Sequence, residues 1–314
     1  MSQKVLSYDL GGTKVAVGVI TEQGKILEAK RESVLLEKGK DAVLDQLTEL
    51  GRYYLERHPE INRIGIASAG PLDPKRGELL DPTNFSSLEG GRWGRVAITE
   101  ILGQRFQRSV YLDNDAAAAV LAEFWIGAAK GINNVITLTL GTGLGTGIIC
   151  NGKLVRSGRF LHPEAGHMII NFQDASAPCG CGNFGCAEAY LSGRNFESRM
   201  RRRFVDESLT NIELAARARA GGKAATQAFD EYAQILAIAI HNYVRIYSPE
   251  LILFSGSFAA THDLFLEKTR GQLERLLKRL RLGMDMLPEL RLAQLNNEAG
   301  LIGGAYIAIH SDHL

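Results

Sequence analysis

The chain has 314 residues, 45% of them hydrophobic and 23% charged, with a formal net charge of +1. That is the make-up of a soluble globular protein with room for two ordinary domains, or two lobes around a cleft, and it argues against a nucleic-acid or membrane-surface partner. No apolar run approaches the ~18 residues of a membrane span, and MSQKVLSYDL enters a strand-like run without a cationic start and apolar core, which predicts a cytoplasmic protein with reduced thiols.

Residues 4–9 read as a strand, Gly11-Gly12 as a tight turn, 15–20 as the returning strand, and Gln23-Gly24 as a hairpin turn into 25–33. The first turn, DLGGTK at 9–14, can aim backbone N–H groups and the Thr13 hydroxyl at a phosphate, with no Cβ at the glycines to block the approach. It lacks the spacing of a P-loop, and an ordinary Gly-Gly hairpin looks the same. Residues 41–58 carry apolar side chains at 43, 44, 47, 50 and 54, the one-sided pattern of an amphipathic helix, and 63–67 forms the next strand. Residues 68–91 read as a long loop. Asn84 is its most suggestive polar residue, with a turn-forming Asn as the competing reading.

Strand 109–113 runs into Asn114-Asp115 and a strong helix, AAAAVLAEFW. Polar residues at such a handover occupy a common ligand position in α/β sheets, although Asp115 would also serve as a plain helix-start carboxylate. Residues 134–140 form an apolar strand, followed by a Gly-rich turn over 141–147, a short strand holding Cys150, expected to be buried, and the turn Asn151-Gly152-Lys153. This repeats the N-terminus: YDLGGTKVAVGVI…QGK answers LTLGTGLGTGII…NGK. Two copies of one unit suggest two similar lobes, each offering a phosphate-binding turn to a shared cleft.

Residues 164–188 hold three of the four cysteines, with Gly180, Gly182 and Gly185 between them. Cys179, Cys181 and Cys186 are spaced C-x-C-x4-C, and eleven residues separate His167 from Cys179. A His-plus-three-Cys tetrahedral zinc site is the natural reading, and thiols in a Gly-rich turn without metal are the alternative. Such a site would fix the flanking carboxylates, Glu164 and Glu188. Residues 194–203 read as a helix with a solvated arginine face, and 226–247 as a central helix with a long apolar stripe, stopped by Pro249. Strand 251–254 ends in Ser255-Gly256-Ser257, where Gly256 would let a flat ligand lie on the backbone. A basic surface helix over 264–282, a strand near 289–293 and a small-residue helix over 299–309 follow, the last able to pack closely onto the first lobe.

Together these segments resemble the ROK family of sugar kinases and sugar-sensing repressors, from Asp9 to about Ala308. The most specific part is 166–188. DLGGTK, Leu112-Asp113-Asn114-Asp115, LGTGLGTG and AGLIGGA follow in the family's order. The resemblance implies an α/β, two-lobed actin-like ATPase (ribonuclease H-like) fold, with mixed sheets flanked by helices and a cleft between lobes. The small lobe would be 1–115 completed by 299–314, and the large lobe 116–298. The implied activity is phosphorylation of a hexose by ATP with Mg2+, glucose-type and at the 6-hydroxyl. N-acetylmannosamine, N-acetylglucosamine and fructose are alternative acceptors, and polyphosphate an alternative donor.

By the same resemblance Asp115 is the catalytic base. Asn114, Glu164, His167 and Glu188 hold the sugar, with Asn84 and Gly70 as weaker matches. Asp9, Gly11, Gly12, Thr13 and Lys14 form one phosphate loop, Gly141, Thr142 and Gly143 the other, and Gly256 lies in the adenosine segment. His167, Cys179, Cys181 and Cys186 match ligands of a structural Zn2+, so His167 would use one ring nitrogen for metal and the other for sugar. The chain departs from the family pattern at Ala117 for a second Asn, Ala69-Gly70 for Pro-Gly, Leu88 for a Trp, and Ser255-Gly256-Ser257 for a Gly-rich turn. Those departures blur sugar specificity and base binding. Family regulators carry an N-terminal helix-turn-helix, whereas here the first phosphate turn begins at residue 9, so an enzyme without a nucleic-acid partner is expected rather than a non-catalytic regulator. Such kinases are often homodimers, and no interface is legible in the sequence.

Overall fold

Three strands open the computed structural model, which describes residues 3–85, 91–159, 161–278 and 283–311. They are β1 (Lys4–Leu10), β2 (Lys14–Thr21) and β3 (Ile26–Ser33). In β1 and β2 most side chains are buried, as in a sheet covered on both faces, whereas β3 is mostly open to solvent. Helix α1 (Lys40–Arg57) buries the predicted stripe, Val43, Leu44, Leu47, Leu50 and Tyr54, and Tyr8 Oη donates to Leu47 O at 2.9 Å. Strand β4 is Arg63–Ser68. The stretch expected to be a long loop holds more order: β5 (Leu72–Asp73), β6 (Glu78–Leu80) and β7 (Arg95–Val96) form a small antiparallel sheet, and Thr83–Phe85 is a 3-10 turn. Strands of two or three residues are too short to show alternation. Leu88 lies outside the described residues. Helix α2 (Ile98–Phe106) was not expected either, because its buried side chains number just three, Ile98, Leu102 and Phe106. Then come β8 (Ser109–Asn114) and α3 (Asp115–Ile126).

The second half begins with β9 (Val135–Leu140), β10 (Leu144–Cys150) and β11 (Lys153–Leu154). The turn expected over 141–147 is confined to its first three residues, and Gly145 and Gly147 belong to β10. Their role is packing: a Cβ on Gly147 would collide with Ala116 O and come within 2.8 Å of Val120. Cys150, expected to be buried, is half-buried at the strand's end. Short helices α4 (Ala187–Leu191), α5 (Gly193–Phe204) and α6 (Asn211–Arg219) lead to α7 (Lys223–Tyr247), of which α4 and α6 had not been anticipated. Arg201 and Arg203 of α5 pair with Glu197 and Glu231, as befits a solvated face. Strand β12 (Leu251–Ser255) is followed by a 3-10 segment, Ser257–Leu264, so that α8 (Leu266–Lys278) starts later than predicted; residues 279–282 lie outside the description. Strand β13 (Glu289–Leu292) and α9 (Ala299–His310) close the chain. Among the described residues no helix is long and apolar enough to cross a membrane.

Two five-stranded sheets result, ordered β3-β2-β1-β4-β8 and β11-β10-β9-β12-β13. In each, an antiparallel triplet is extended by two parallel strands, so the repeat legible in the sequence is a repeat of sheet topology. Helix α9 lies on the first sheet, where Ser7 Oγ donates to Leu301 O at 2.6 Å and Gly65 abuts Gly304. Helix α3 lies on the second sheet at Gly147 and touches α9 where a Cβ on Gly303 would collide with Ala118 O. At the far end of α3, fully buried Glu123 accepts from Leu295 N and Ala128 N, both at 2.7 Å, tying α3 to the approach to α9.

The α3–α9 contact is backbone against backbone. Gly303→Val is expected to destabilise the protein by about 3 kcal/mol in urea denaturation, the upper range for overpacking a close contact. A change below about 1 kcal/mol would mean that the helices can part without penalty.

Candidate active site

The parallel strands of both sheets deliver the predicted residues at their carboxyl ends, where open α/β sheets gather ligands. In the first sheet Leu10 pairs with Ser68, and Ser68 with Asn114. Asp9 with its Gly turn, Gly70 and Asn114-Asp115 therefore emerge along one edge. In the second sheet Ser255 pairs with Thr139, and their hydroxyls lie 3.1 Å apart. The turn at 141–143 and Gly256 emerge side by side there. Gly256 has φ +87°, and a Cβ on it would fall 2.5 Å from Leu140 O, so glycine is needed at this crossing.

Around Asp115 the groups are close. Asn114 caps α3, its Oδ1 accepting from Ala116 N at 2.8 Å and Ala117 N at 3.3 Å. A Cβ built on Gly70 would sit 3.4 Å from Asn114 Nδ2 and 3.8 Å from Glu164 Oε1, so these three residues border one small space that Gly70 leaves open. Gly12 abuts Asn84: a Cβ there would come within 2.8 Å of Asn84 O. Ala117, one of the departures from the pattern the chain resembles, is fully buried in α3.

Charge is concentrated at this place. Surrounding protein raises the Asp115 carboxyl to about 7, and the charges of Asp9 and Glu164 push the same way, against backbone N–H bonds from Ala116 and from Asp115 itself. Solvent still reaches Asp115 and Glu164, so they line an open recess rather than a sealed core. Burial raises Asp9 to about 6, with Arg31 pulling it down and Glu298 pushing it up. Glu164 is raised as well, by burial first, while His167 opposes and Glu188 adds.

The two Gly turns are closed by their own backbones: Gly11 N–H donates to Lys14 O at 3.0 Å, and Gly141 N–H to Gly143 O at 3.1 Å. Neither of those N–H groups can serve a phosphate while its turn stays closed. Thr13, Lys14 and Thr142 are exposed.

The Cys/His segment comes together as its spacing suggested. His167 Nδ1 is 3.3 Å from Cys179 Sγ, Cys181 Sγ is 3.7 Å from Cys186 Sγ, and all four ligand atoms lie within 4.8 Å of one another. A tetrahedron with metal–sulfur bonds of about 2.3 Å has edges of about 3.8 Å, so the donor set fits a tetrahedral metal ion. Glu188, like Asn114, is a buried member of the predicted sugar ligands. Its Oε2 accepts from Leu144 N at 3.0 Å, its Oε1 lies 3.4 Å from Cys179 Sγ and 4.0 Å from His167 Nδ1, and a Cβ on Gly143 would fall 2.6 Å from Oε2. It thereby joins the Cys/His cluster to the second Gly turn. Arg156, ion-paired with Asp113 directly behind Asn114, was missed in the sequence, which holds no motif for it.

Comparison with known proteins identifies the family. The family model described as ROK family matches residues 5–311. The chain is similar to a glucokinase of Thermotoga maritima, 29% identical over 97% of this chain and 96% of that one. It is similar to an N-acetyl-D-glucosamine kinase of Salmonella typhimurium, 30% identical over 96% and 97% of the two chains. Among solved structures, a ROK family glucokinase from Streptomyces griseus in complex with glucose and AMPPNP matches with a TM-score of 0.77 and 28% identity, covering 98% of this chain and 99% of that one.

The charge cluster has a direct spectroscopic consequence. In the ligand-free protein the Asp115 carboxyl should titrate near pH 7 by carbon NMR, and Asp9→Asn should lower that midpoint, because a negative neighbour that opposed ionisation is gone. An unmoved midpoint would mean that Asp9 and Asp115 do not share a field.

Proposed function

Since the chain belongs to the ROK family and is a sugar kinase with its actin-like ATPase fold, we propose that it transfers the γ-phosphoryl group of ATP to the 6-hydroxyl of glucose or a close hexose. The observation that carries this reading is the Asp115 carboxylate, solvent-open at the start of α3, with Asn114, Gly70 and Glu164 around a small space beside it and Asp9 coupled to it electrostatically. Asp115 takes the proton of the sugar hydroxyl as that oxygen bonds to the γ-phosphorus. The bond from phosphorus to the bridging oxygen breaks, and ADP leaves with its electron pair. A base with a midpoint near 7 is ionised in useful amount at neutral pH yet still basic enough to accept the proton.

Asn114 Nδ2 can donate to one sugar hydroxyl, and the Glu164 carboxylate can accept from another, which suits a polyol. Glu188 has Oε2 held by Leu144 N and Oε1 3.4 Å from Cys179 Sγ; once that thiol is a metal-bound thiolate, Oε1 can accept from a hydroxyl next to His167. Residues 9–14, 141–143 and Gly256 are the nucleotide segments on this reading. Mg2+ bound with the nucleotide would neutralise phosphate charge, and Asp9 is the carboxylate placed to hold it. His167 Nδ1 and the three thiolates would supply four ligands to Zn2+, and with no fourth position left for substrate its role would be structural. His167 Nε2 then remains for the sugar. The small lobe is 1–115 with α9 and the large lobe 116–298, and closure between them would keep water from the phosphoryl group.

The deciding experiment is an ADP-release assay over glucose, mannose, fructose, N-acetylglucosamine and N-acetylmannosamine, with ATP and polyphosphate as donors. Glucose with ATP should give the highest kcat/KM, and Asp115→Asn should lower kcat by at least about a hundredfold with sugar binding retained. Preference for an N-acetylhexosamine would overturn the glucose assignment, and near-native turnover by Asp115→Asn would remove the base. For the metal, protein purified without chelator should contain about one zinc per chain, and Cys181→Ser should lose it. A zinc-free wild type that is fully active would exclude the structural ion.

A further inference from the structure

Asp113 takes no part in the chemistry above, yet it is 1% exposed and fully engaged. Its Oδ1 accepts from Arg156 Nη1 at 2.8 Å, its Oδ2 from Nη2, and Oδ1 also accepts from Asn114 N at 2.7 Å. The pair spans the two sheets, since Asp113 belongs to β8 of the first and Arg156 follows β11 of the second. The segment carrying Arg156 is fastened to β10 near both ends. Val155 N donates to Ile148 O at 2.9 Å, and Thr146 Oγ1 to Pro163 O at 3.3 Å. Glu164 is the next residue, and the turn it opens is seated on β10, where a Cβ on Gly166 would collide with Leu144 O. His162, buried on the same segment, is lowered to about 4 by burial, with Asp113 opposing; it is uncharged at neutral pH and does not compete with Arg156 for the carboxylate.

We propose that the Asp113–Arg156 pair is a positioning latch for the sugar site, holding Asn114-Asp115 of the first sheet at a set distance from Glu164–His167 of the second. The inference rests on the kinase reading and deepens it, by adding two residues on which sugar placement depends. A bidentate guanidinium–carboxylate pair fixes angle as well as separation, which a single hydrogen bond does not. With Arg156 removed, a buried carboxylate is left uncompensated immediately behind the residue that caps α3. The base and the sugar carboxylate reach the substrate from different sheets, so a slip between them misplaces the hydroxyl. The Gly turns, each inside a single hairpin, do not depend on this link.

The test is steady-state kinetics of Arg156→Met and Arg156→Lys on the sugar the wild type prefers, with thermal melts alongside. Arg156→Met should lower kcat/KM for sugar on the order of a hundredfold, the penalty of a displacement of about 1 Å. It should leave the KM for ATP within about twofold, because uniform binding at the nucleotide turns is untouched. Arg156→Lys should recover part of the loss, to about tenfold below wild type, since an ammonium cannot span both oxygens. A purely structural pair would lower the melting temperature and the active fraction while leaving both KM values at wild type, and that result overturns the latch. Should Arg156→Met fail to fold, Arg156→Lys decides: a wild-type KM and kcat/KM for sugar in that variant overturns the proposal. A wild type that turns over no sugar overturns the kinase reading and the latch with it, whereas sugar turnover with unchanged constants in both variants overturns the latch alone.

Discussion

Everything at the recess depends on how closely α3 and α9 approach. Each helix is packed on a different sheet, and they meet through Gly303 and Ala118 with no side chain between them. Gly304 is pressed onto the first sheet at Ser7 and Gly65, and Gly147 receives α3 on the second. Small residues at these points let the backbones themselves set the spacing, so the separation of the two sheets is fixed by main-chain dimensions rather than by adaptable side chains. Asp115 begins α3, and Gly300 at the start of α9 is in contact with Asp9. The packing that joins the two halves is thus the packing that brings two carboxylates together.

That proximity is unfavourable by itself. Asp9, Asp115 and Glu164 are crowded, and each is raised by its surroundings. Carboxylates held together against their repulsion are characteristic of a site awaiting cations, protons or hydroxyl donors. A polyol and a cation-bound nucleotide supply all of these. The strain is borne by a rigid frame: the cap at Asn114, the α3–α9 contact, and a Cys/His cluster linked through Glu188 to Leu144 N.

Much of the fold was legible because its signals are local. The strand–turn–strand repeat showed itself through apolar runs and Gly turns, and both halves have the same sheet topology. The stripe of α7 and the Cys spacing were equally readable, since a helical period and a loop folding onto one point involve residues close in sequence. What escaped was short or borrowed its order from elsewhere. The β5–β6–β7 sheet has strands too brief for a pattern, α2 buries three side chains, and Gly145 and Gly147 looked like turn residues although they are packing positions in a strand.

The site divides in the same way. Spacing alone pointed to His167 and the three cysteines, and position to Asn114-Asp115 and Glu164, while the roles proposed for Asp115, Asn114 and Glu164 came from the family resemblance. The tertiary structure decided which of them share a space: Gly70 beside Asn114 and Glu164, Asn84 against Gly12, and Glu188 turned toward Leu144 and Cys179. It also produced the Asp113–Arg156 pair, whose partners are 43 residues apart and belong to different sheets. Sequence pattern records what a residue's neighbours along the chain require. Charge coupling and sheet-to-sheet spacing arise only once distant segments are packed, since Coulomb and steric terms depend on separation in space.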